Sequence, residues 1–537
     1  MSVTRNPVRT GTAVAVAALA LFAAGGFALP TPAGAVSRAL ISGSGSSWSA
    51  NAVNQWVSDV KQDGLQVVYT AVGSAQGRKD FAYGTTDYAV SDIGYRGVDP
   101  KTNEQDTSQG RDFVYLPVVG GGTAFPYQVR VGGKLLRNLR LSGETLAKIF
   151  TLKITNWNDP QITADNNGRR LPSISIIPVV HSEGSGATAQ FTRYLAKQFP
   201  SIWRSFSGYA DFTEYFPQKG RIVAQNGSDG VMNFITSAAA NGAIGYNEYS
   251  YALAKNYPVA KLKNRAGYFT APTQYNVAVA LTKAKINTNK DPSACKSLGY
   301  YPPCYLLQNL DAVYVYGDKR AYAMSSYSYM IIPTASQDVR VDTAKRQTLA
   351  DFIYYAVCEG QAEMGPIGYS PLPINLVQAS FDQVAKLKQA DPKVDIERRN
   401  VSTCHNPTFV AGNPKRNYLA EIAPAPPACD KVGAGPCGDR EGIVTGNPRG
   451  GRAPTVPGVS GGGATPTTGA TAGPTVGGPT SGPTLRDTEI LAEPIDLPGT
   501  RNGDGKSLAT LLAAAELLLI IAIPPVLARV KRRGRSS

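Results

Sequence analysis

Histidine is nearly absent from this chain: its 537 residues hold two, His181 and His405. The six cysteines include no C-x-x-C pair, so the usual nitrogen and sulfur ligand sets are missing and neither a metal nor a cofactor is expected. A serine-hydrolase elbow is missing too, because Ser185 has Glu183 and Ala187 where G-x-S-x-G needs glycine. The chain is therefore read as a binder and not an enzyme. Charged residues make up only 17% of the sequence, and the body has no lysine or arginine run interleaved with aromatics. That excludes a nucleic-acid partner.

What is present begins at the two ends. Arg5 and Arg9 precede a mostly apolar stretch, Thr10–Leu29, and Ala33-Gly34-Ala35 follows as a small-residue cleavage site. Residues 1–35 are expected to be an export signal. Near the other end, Leu508–Ala528 is apolar over 21 residues, enough to cross a hydrocarbon core of ~30 Å. The basic residues Arg529, Lys531, Arg532, Arg533 and Arg535 follow it and predict a cytoplasmic tail over 529–537. Glu516 inside the span costs ~2.5–3.5 kcal/mol if ionised at mid-membrane, which the flanking leucines and isoleucines offset. The stretch Leu497-Pro498-Gly499-Thr500-Arg501 resembles a cell-wall sorting signal but has Arg501 where that pattern has glycine. A retained transmembrane anchor is expected in preference to wall attachment.

The formal net charge is +15. Two arginines at the start and five basic residues in the tail leave about +8 for the body, a balance that favours anionic ligands or surfaces. All six cysteines lie in the exported part, so disulfides are the natural reading. Six cysteines allow about fifteen pairings, and neighbour pairing, Cys295–Cys304 and Cys429–Cys437, is the simplest.

From Val36 to about Asn406, short strands alternate with amphipathic helices. Strands are predicted over Gln66–Ala71, Tyr88–Val90, Ser173–Val180 and Tyr329–Pro333, and helices over Ser49–Gln62, Gly143–Phe150, Gly186–Phe199 and Thr348–Cys358. Such alternation implies α/β layering. Residues 407–507 are expected to be a disordered Gly/Pro/Thr-rich linker. As a flexible coil, the stretch from Gly442 to the apolar span would hold the body on the order of 45 Å from the membrane.

Four Gly/Ser segments stand at strand-to-helix joins: Gly43–Trp48, Gly73–Gly77, Ser91-Asp92 and Ser182–Ala187. In open α/β sheets ligands sit where strand C-terminal ends meet helix starts. Each join offers N–H donors, a hydroxyl and a positive dipole end. Several aimed at one point would make an oxyanion cage; one alone is an ordinary cap or turn.

The motifs that follow one another along the chain are SGSGSSW, YTAVGSAQGRKDFAYGTTDYAVSD, LPVVGG, LSGETLAKIFTLKITNWNDPQI, SEGSGATAQFTRYL, GAIGYNEYSYA and GYSPLP. In this order they resemble the phosphate-binding proteins of ABC-type phosphate importers, over about Ile41–Ile374. The resemblance implies a two-lobed, periplasmic-binding-protein (Venus-flytrap) α/β fold. Lobe 1 would be 36–118 plus 270–406, and lobe 2 would be 119–269. It implies inorganic phosphate as ligand and importer permease subunits as partners, on the extracytoplasmic face of the cell membrane. Carried over by position, Ser47, Trp48 and Ser74 would donate to phosphate from one lobe. Ser185, Gly186 and Ala187 would donate from the other, and Asp92 would accept from a protonated phosphate. Sulfate, with no proton to share, would meet two opposed acceptors there.

The chain departs from the family at three positions. His181 stands where the family has arginine, Glu183 where it has aspartate, and Ala187 where it has threonine. His181 could still donate one hydrogen bond, with Glu183 orienting it, and Arg96 is a candidate for the missing guanidinium. A His181→Arg exchange is expected to tighten phosphate binding. The alternative is a surface-anchored sensor, or a binder of another oxyanion with a modified site. Trp157, Asn158, Tyr246 and Tyr249 are read as packing or turn residues.

Overall fold

The computed structural model describes residues 37–438, apart from 99–102, 104, 398 and 411. The expected export signal, most of the linker, the 508–528 span, the basic tail and the Leu497–Arg501 motif lie outside the described residues. Among the described residues no helix is long and apolar enough to cross a membrane.

Two sheets organise the chain. The larger uses β1 (Ile41–Gly45), β2 (Val67–Thr70), β3 (Tyr88–Ser91), β4 (Phe113–Ala124), β8 (Asn247–Glu248) and β9 (Ser325–Pro333). Its order is β8-β4-β9-β3-β1-β2, with β1 parallel to β2 and β3, and β9 antiparallel to β3 and β4. All nine residues of β9 are buried, as a central strand covered on both faces requires. The smaller sheet is parallel, order β6-β5-β7, from β5 (Ile177–His181), β6 (Val223–Gln225) and β7 (Ala243–Gly245).

Helices α1 (Ala50–Gln62) and α2 (Ser74–Ala82) follow β1 and β2. Helix α3 (Gly186–Gln198) follows β5, and α4 (Gly227–Thr236) follows β6. Helix α1 buries Val53, Trp56 and Val60, one face at the spacing the sequence shows. Helix α2 lies so close to β1 that a Cβ at Gly77 would collide with the Gly45 backbone. Glycine at both positions is what lets the helix start reach the strand end. Further helices, α5 (Gln274–Leu281), α6 (Thr343–Val357) and α7 (Ile374–Ala390), flank the larger sheet.

Several predicted elements recur with shifted ends. Gly143–Phe150 is helical as read, α6 starts five residues before the predicted Thr348, and β9 starts four before Tyr329. Ser173–Ile176 lies outside β5, where Asn156 bridges Ser175 and Trp157 N–H donates to Ile174 O. Trp157 is fully buried, and Tyr246 packs its ring against Phe150, Phe191 and Phe216. Disulfides join Cys295–Cys304, Cys358–Cys404 and Cys429–Cys437.

The linker does not begin at 407. Parts of 407–438 are packed: α8 (Tyr418–Ile422) buries Leu419 and Ala420, and Arg320 donates to the carbonyls of Ala420 and Ala423. Farther on, Lys261 Nζ pairs with Asp430 at 2.6 Å, and Arg140 donates to Cys429 O and Ala434 O. Short pieces rich in proline and glycine have no hydrophobic period to read. Side chains from distant strands and the Cys429–Cys437 closure hold them instead.

Candidate anion site

The four Gly/Ser joins converge. Asp92, just past β3, is 1% exposed. Its Oδ2 accepts from Ser46 Oγ at 2.7 Å and from Ser74 Oγ at 3.3 Å, and its Oδ1 accepts from Ser328 Oγ at 2.8 Å. Ser46 reaches it from the end of β1, Ser74 from the start of α2, and Ser328 from β9. The register of β9 shifts between Ser328 and Tyr329, and a bulge of this kind re-aims a side chain. Burial pushes the Asp92 carboxyl up from the ordinary range, while hydrogen bonds from the three serines and the charge of Arg78 pull the other way.

The start of α3 meets this cluster from the smaller sheet. Ser185 caps the helix by accepting from Thr188 N–H at 3.3 Å, and its own N–H donates to Glu214 O at 3.0 Å. Gly186 sits against the aspartate: a Cβ there would collide with Asp92 Oδ2 and Ser74 Oγ. Gln190, one turn on, donates to Asp92 O at 2.8 Å. The Gly186 and Ala187 amides belong to the first turn, where no intrahelical acceptor exists. Ser74, Asp92 and Gly186 therefore meet, and Ser185 and Ala187 flank Gly186 at the start of α3.

Ser47 and Trp48 are near but otherwise engaged. Ser47 Oγ lies 3.0 Å from Ser228 Oγ and accepts from Ser228 N–H at 3.1 Å, which ties β1 to the start of α4. Trp48 N–H donates to Ser46 Oγ at 3.1 Å, and its indole donates to Thr123 Oγ1 at 3.2 Å.

His181 and Glu183 depart furthest from expectation. The His181 side chain is fully buried, with Nδ1 2.8 Å from Glu183 Oε1 and Nε2 3.3 Å from Tyr246 O. Both ring nitrogens are committed within the protein, so the imidazole is not placed to donate to a ligand. Glu183 Oε2 accepts from Gly227 N–H at 2.9 Å, which makes the carboxylate the anion at the start of α4. Burial alone would raise its pKa, but His181 and the Gly227 amide hold it below the ordinary carboxylate value. Arg96 does not fill the cationic corner. Its guanidinium lies 3.8 Å over the Phe212 ring and donates to Phe212 O at 3.0 Å.

A buried ion cluster lies behind the site. Arg78, from α2, pairs with Asp106 at 2.7 Å and Glu214 at 2.6 Å and donates to Ser91 Oγ at 3.0 Å. Burial disfavours its charge, but the two carboxylates more than reverse that and hold Arg78 protonated.

Sequence reasoning missed Ser46, Ser228 and Ser328. Ser46 lies inside the SGSGSSW run, where adjacent serines carry the same local signal as Ser47. Ser328 sits in a tyrosine-rich strand with no Gly/Ser turn, so no local pattern marked it. Among the described residues no cluster of histidine, cysteine or carboxylates could hold a metal ion.

Residues 30–359 match the family described as PBP superfamily domain, more than half of the chain, so the chain belongs to this superfamily. The chain is 28% identical over 385 residues to the phosphate-binding protein PstS of Methanocaldococcus jannaschii, covering 70% of this chain and 93% of that protein. With its namesake in Pasteurella multocida it shares 29% over 355 residues, covering 66% and 92%. With PstS 3 of Mycobacterium tuberculosis it shares 30% over 339 residues, covering 62% and 82%. The chain belongs to the PstS family of phosphate-binding proteins.

Proposed function

We propose that this chain captures inorganic phosphate outside the cytoplasm and delivers it to an ABC-type importer, without covalent chemistry. The observation that carries the reading is the filling of Asp92. A carboxylate accepts along about four lone-pair directions, and Ser46, Ser74 and Ser328 occupy three. One acceptor direction remains for an O–H of the ligand. A protonated phosphate supplies that hydrogen, and sulfate at the same pH does not. The first-turn amides of α3 and the backbone N–H of Ser74 at the start of α2 are the donors for the other oxygens, with Ser47 and Trp48 at the margin. His181 and Glu183 act as positioning residues, because the pair fixes Gly227 and the loop before Ser185.

Lobe 1 is assigned to 36–118 plus 270–406 and lobe 2 to 119–269, with closure of the two around the anion as the signal to the permease subunits. Export through residues 1–35 and tethering by Leu508–Ala528 complete the proposal. That His181 is not placed to donate to the anion favours one alternative, a surface-anchored sensor or a binding protein for another oxyanion with a modified site.

Titration calorimetry with phosphate, arsenate, sulfate and molybdate separates the readings. Phosphate is expected to bind at least about a hundredfold more tightly than sulfate, the cost of an unmatched buried acceptor pair. If no oxyanion binds below millimolar, the transport reading is lost. If molybdate or sulfate outcompetes phosphate, the alternative stands.

A further inference from the structure

Strands β5 and β6 run parallel, so the anion site occupies one end of the smaller sheet, after His181 and Gln225. The other end is built by the loops that feed Ile177 and Val223. Ile176 N–H donates to Thr155 O at 2.9 Å, and Arg221 reaches the carbonyls of Thr155 and Ile176 at 3.3 and 3.4 Å. Asn156 donates to Ser173 Oγ at 3.2 Å, and Lys219 donates to Phe206 O. These contacts join four loops into one edge. The strand length between the two ends, at ~3.3 Å per residue, puts this edge roughly 15 Å from the anion site.

Six exposed cations lie in these loops and the helix beside them: Lys153, Arg169, Arg170, Arg204, Lys219 and Arg221. Among the described residues none of them forms an ion pair. The hydrogen-bond partners they have are uncharged: Asn138 Oδ1 for Arg169, and carbonyls for Lys219 and Arg221. One exposed carboxylate, Asp211, lies in the loop before Val223 and accepts from Phe212 N–H, and the other carboxylates near these loops are engaged elsewhere. Glu144 pairs with Lys148, Asp165 accepts from Ser142 and Thr145, and Asp159 caps the helix Pro160–Asp165. The excess is regional: residues 119–269 hold seventeen Lys and Arg against eight Asp and Glu, while 36–118 plus 270–406 hold twenty-one of each.

We propose that this edge is a docking face for an anionic lipid surface. A strong protein interface centres on buried aromatic or aliphatic anchors. None of the exposed large apolar side chains among the described residues lies in these loops. Unpaired guanidinium and ammonium groups without an apolar anchor fit adsorption to a charged bilayer, which needs charge and not shape.

The test is flotation of the full chain with vesicles of phosphatidylcholine alone or with phosphatidylglycerol. Leu508–Ala528 and the basic tail over 529–537 are common to every arm, so the difference between wild type and variant reads this edge. The wild-type chain is expected to bind the anionic vesicles about tenfold more strongly, and the preference should vanish in molar salt. The triple variant Lys153→Glu, Arg170→Glu, Arg204→Glu should lose most of the preference, and among the described residues those three side chains make no hydrogen bond or ion pair. The same charge change at Lys61, Lys285 and Lys393 should keep it. Equal binding to both vesicle types, or equal loss in both variants, overturns the proposal. Photo-cross-linking of Arg170 or Arg204 positions to an acidic protein, with no vesicle preference, assigns the face to that partner instead and also overturns it.

Discussion

The two sheets bring opposite chemistry to one point. The larger contributes an acceptor, Asp92, and the hydroxyls of Ser46, Ser74 and Ser328 that fix it. The smaller contributes the first turn of α3, all donors. The larger side has balanced charge and pairs much of it, as in Arg38 and Arg399 on Asp351, Lys345 with Asp87, and Arg111 with Asp338. The smaller side is strongly basic, yet aims none of that excess at the anion. The lesson is that attraction and selection are separable. Backbone dipoles and hydroxyls hold an anion at short range, and a buried carboxylate decides which anion is admitted.

Disulfides sharpen the contrast most. Cys295–Cys304 and Cys358–Cys404 both lie on the larger side, and residues 119–269 contain no cysteine. Removing Cys358–Cys404, which spans 46 residues, should cost about 4 kcal/mol by chain entropy, against about 2.6 kcal/mol for the short Cys295–Cys304 loop. Denaturant unfolding of the two paired-serine variants checks the order. Hydrogen exchange should show the loss concentrated in β1–β3, β4 and β9. Equal loss in β5–β7 would mean that the two sides unfold as one.

Asp92→Asn strikes the acceptor. It should weaken phosphate binding by about 3 kcal/mol, over a hundredfold, and bring sulfate close to phosphate. Competition calorimetry reads both numbers, and retained phosphate preference would remove Asp92 from the site. Gly186→Ala strikes the meeting point, since the added methyl collides with Asp92 and Ser74. Alanine suits a helix, so the fold should stand while affinity falls by about 2 kcal/mol, the scale of overpacking. Unchanged affinity with unchanged circular dichroism would show that the two sides need not approach so closely.

The His181–Glu183 pair gives a smaller effect. Glu183→Gln should cost about 1–2 kcal/mol of stability, because His181 loses a charge-assisted partner while Gly227 keeps an oxygen acceptor. Depressed in the fold, the Glu183 pKa gives stability that is present above the unfolded carboxylate value and lost as pH falls through the folded one. The part of the wild-type acid loss that Glu183 contributes should be absent in Glu183→Gln, leaving the share of other depressed carboxylates such as Asp338. His181→Arg, expected from sequence to tighten binding, should instead lower the melting temperature, because the ring space beside Tyr246 is closed.

Smallest is the pH response of selectivity. The Asp92 pKa is raised, so protonation sets in at higher pH than for an ordinary aspartate. Above that value the acceptor is intact; as pH falls through it, the phosphate-to-sulfate affinity ratio should shrink. The ratio in Asp92→Asn should not change with Asp92 titration.

Much of the fold was legible because periodicity reports burial locally. The helices at Ser49–Gln62 and Gly186–Phe199 and the strand at Tyr88–Val90 are local facts of composition and spacing. Ser74, Asp92, Ser185 and Gly186 could be read because each sits at a strand-to-helix join with its own short signature. Ser328 could not, since its role exists only where β9 shifts register beside β3. Nor could residues 407–438, which are held by Arg140, Lys261 and Arg320 from elsewhere in the chain.

The sequence by itself determined the elements, the even set of cysteines and the presence of four anion-friendly turns, because these depend on neighbours along the chain. Only the tertiary structure decided which hydroxyls surround Asp92, that His181 and Glu183 satisfy each other, and that Arg96 stacks on Phe212. Those outcomes are set by distances between segments far apart in sequence, and no local pattern encodes such a distance.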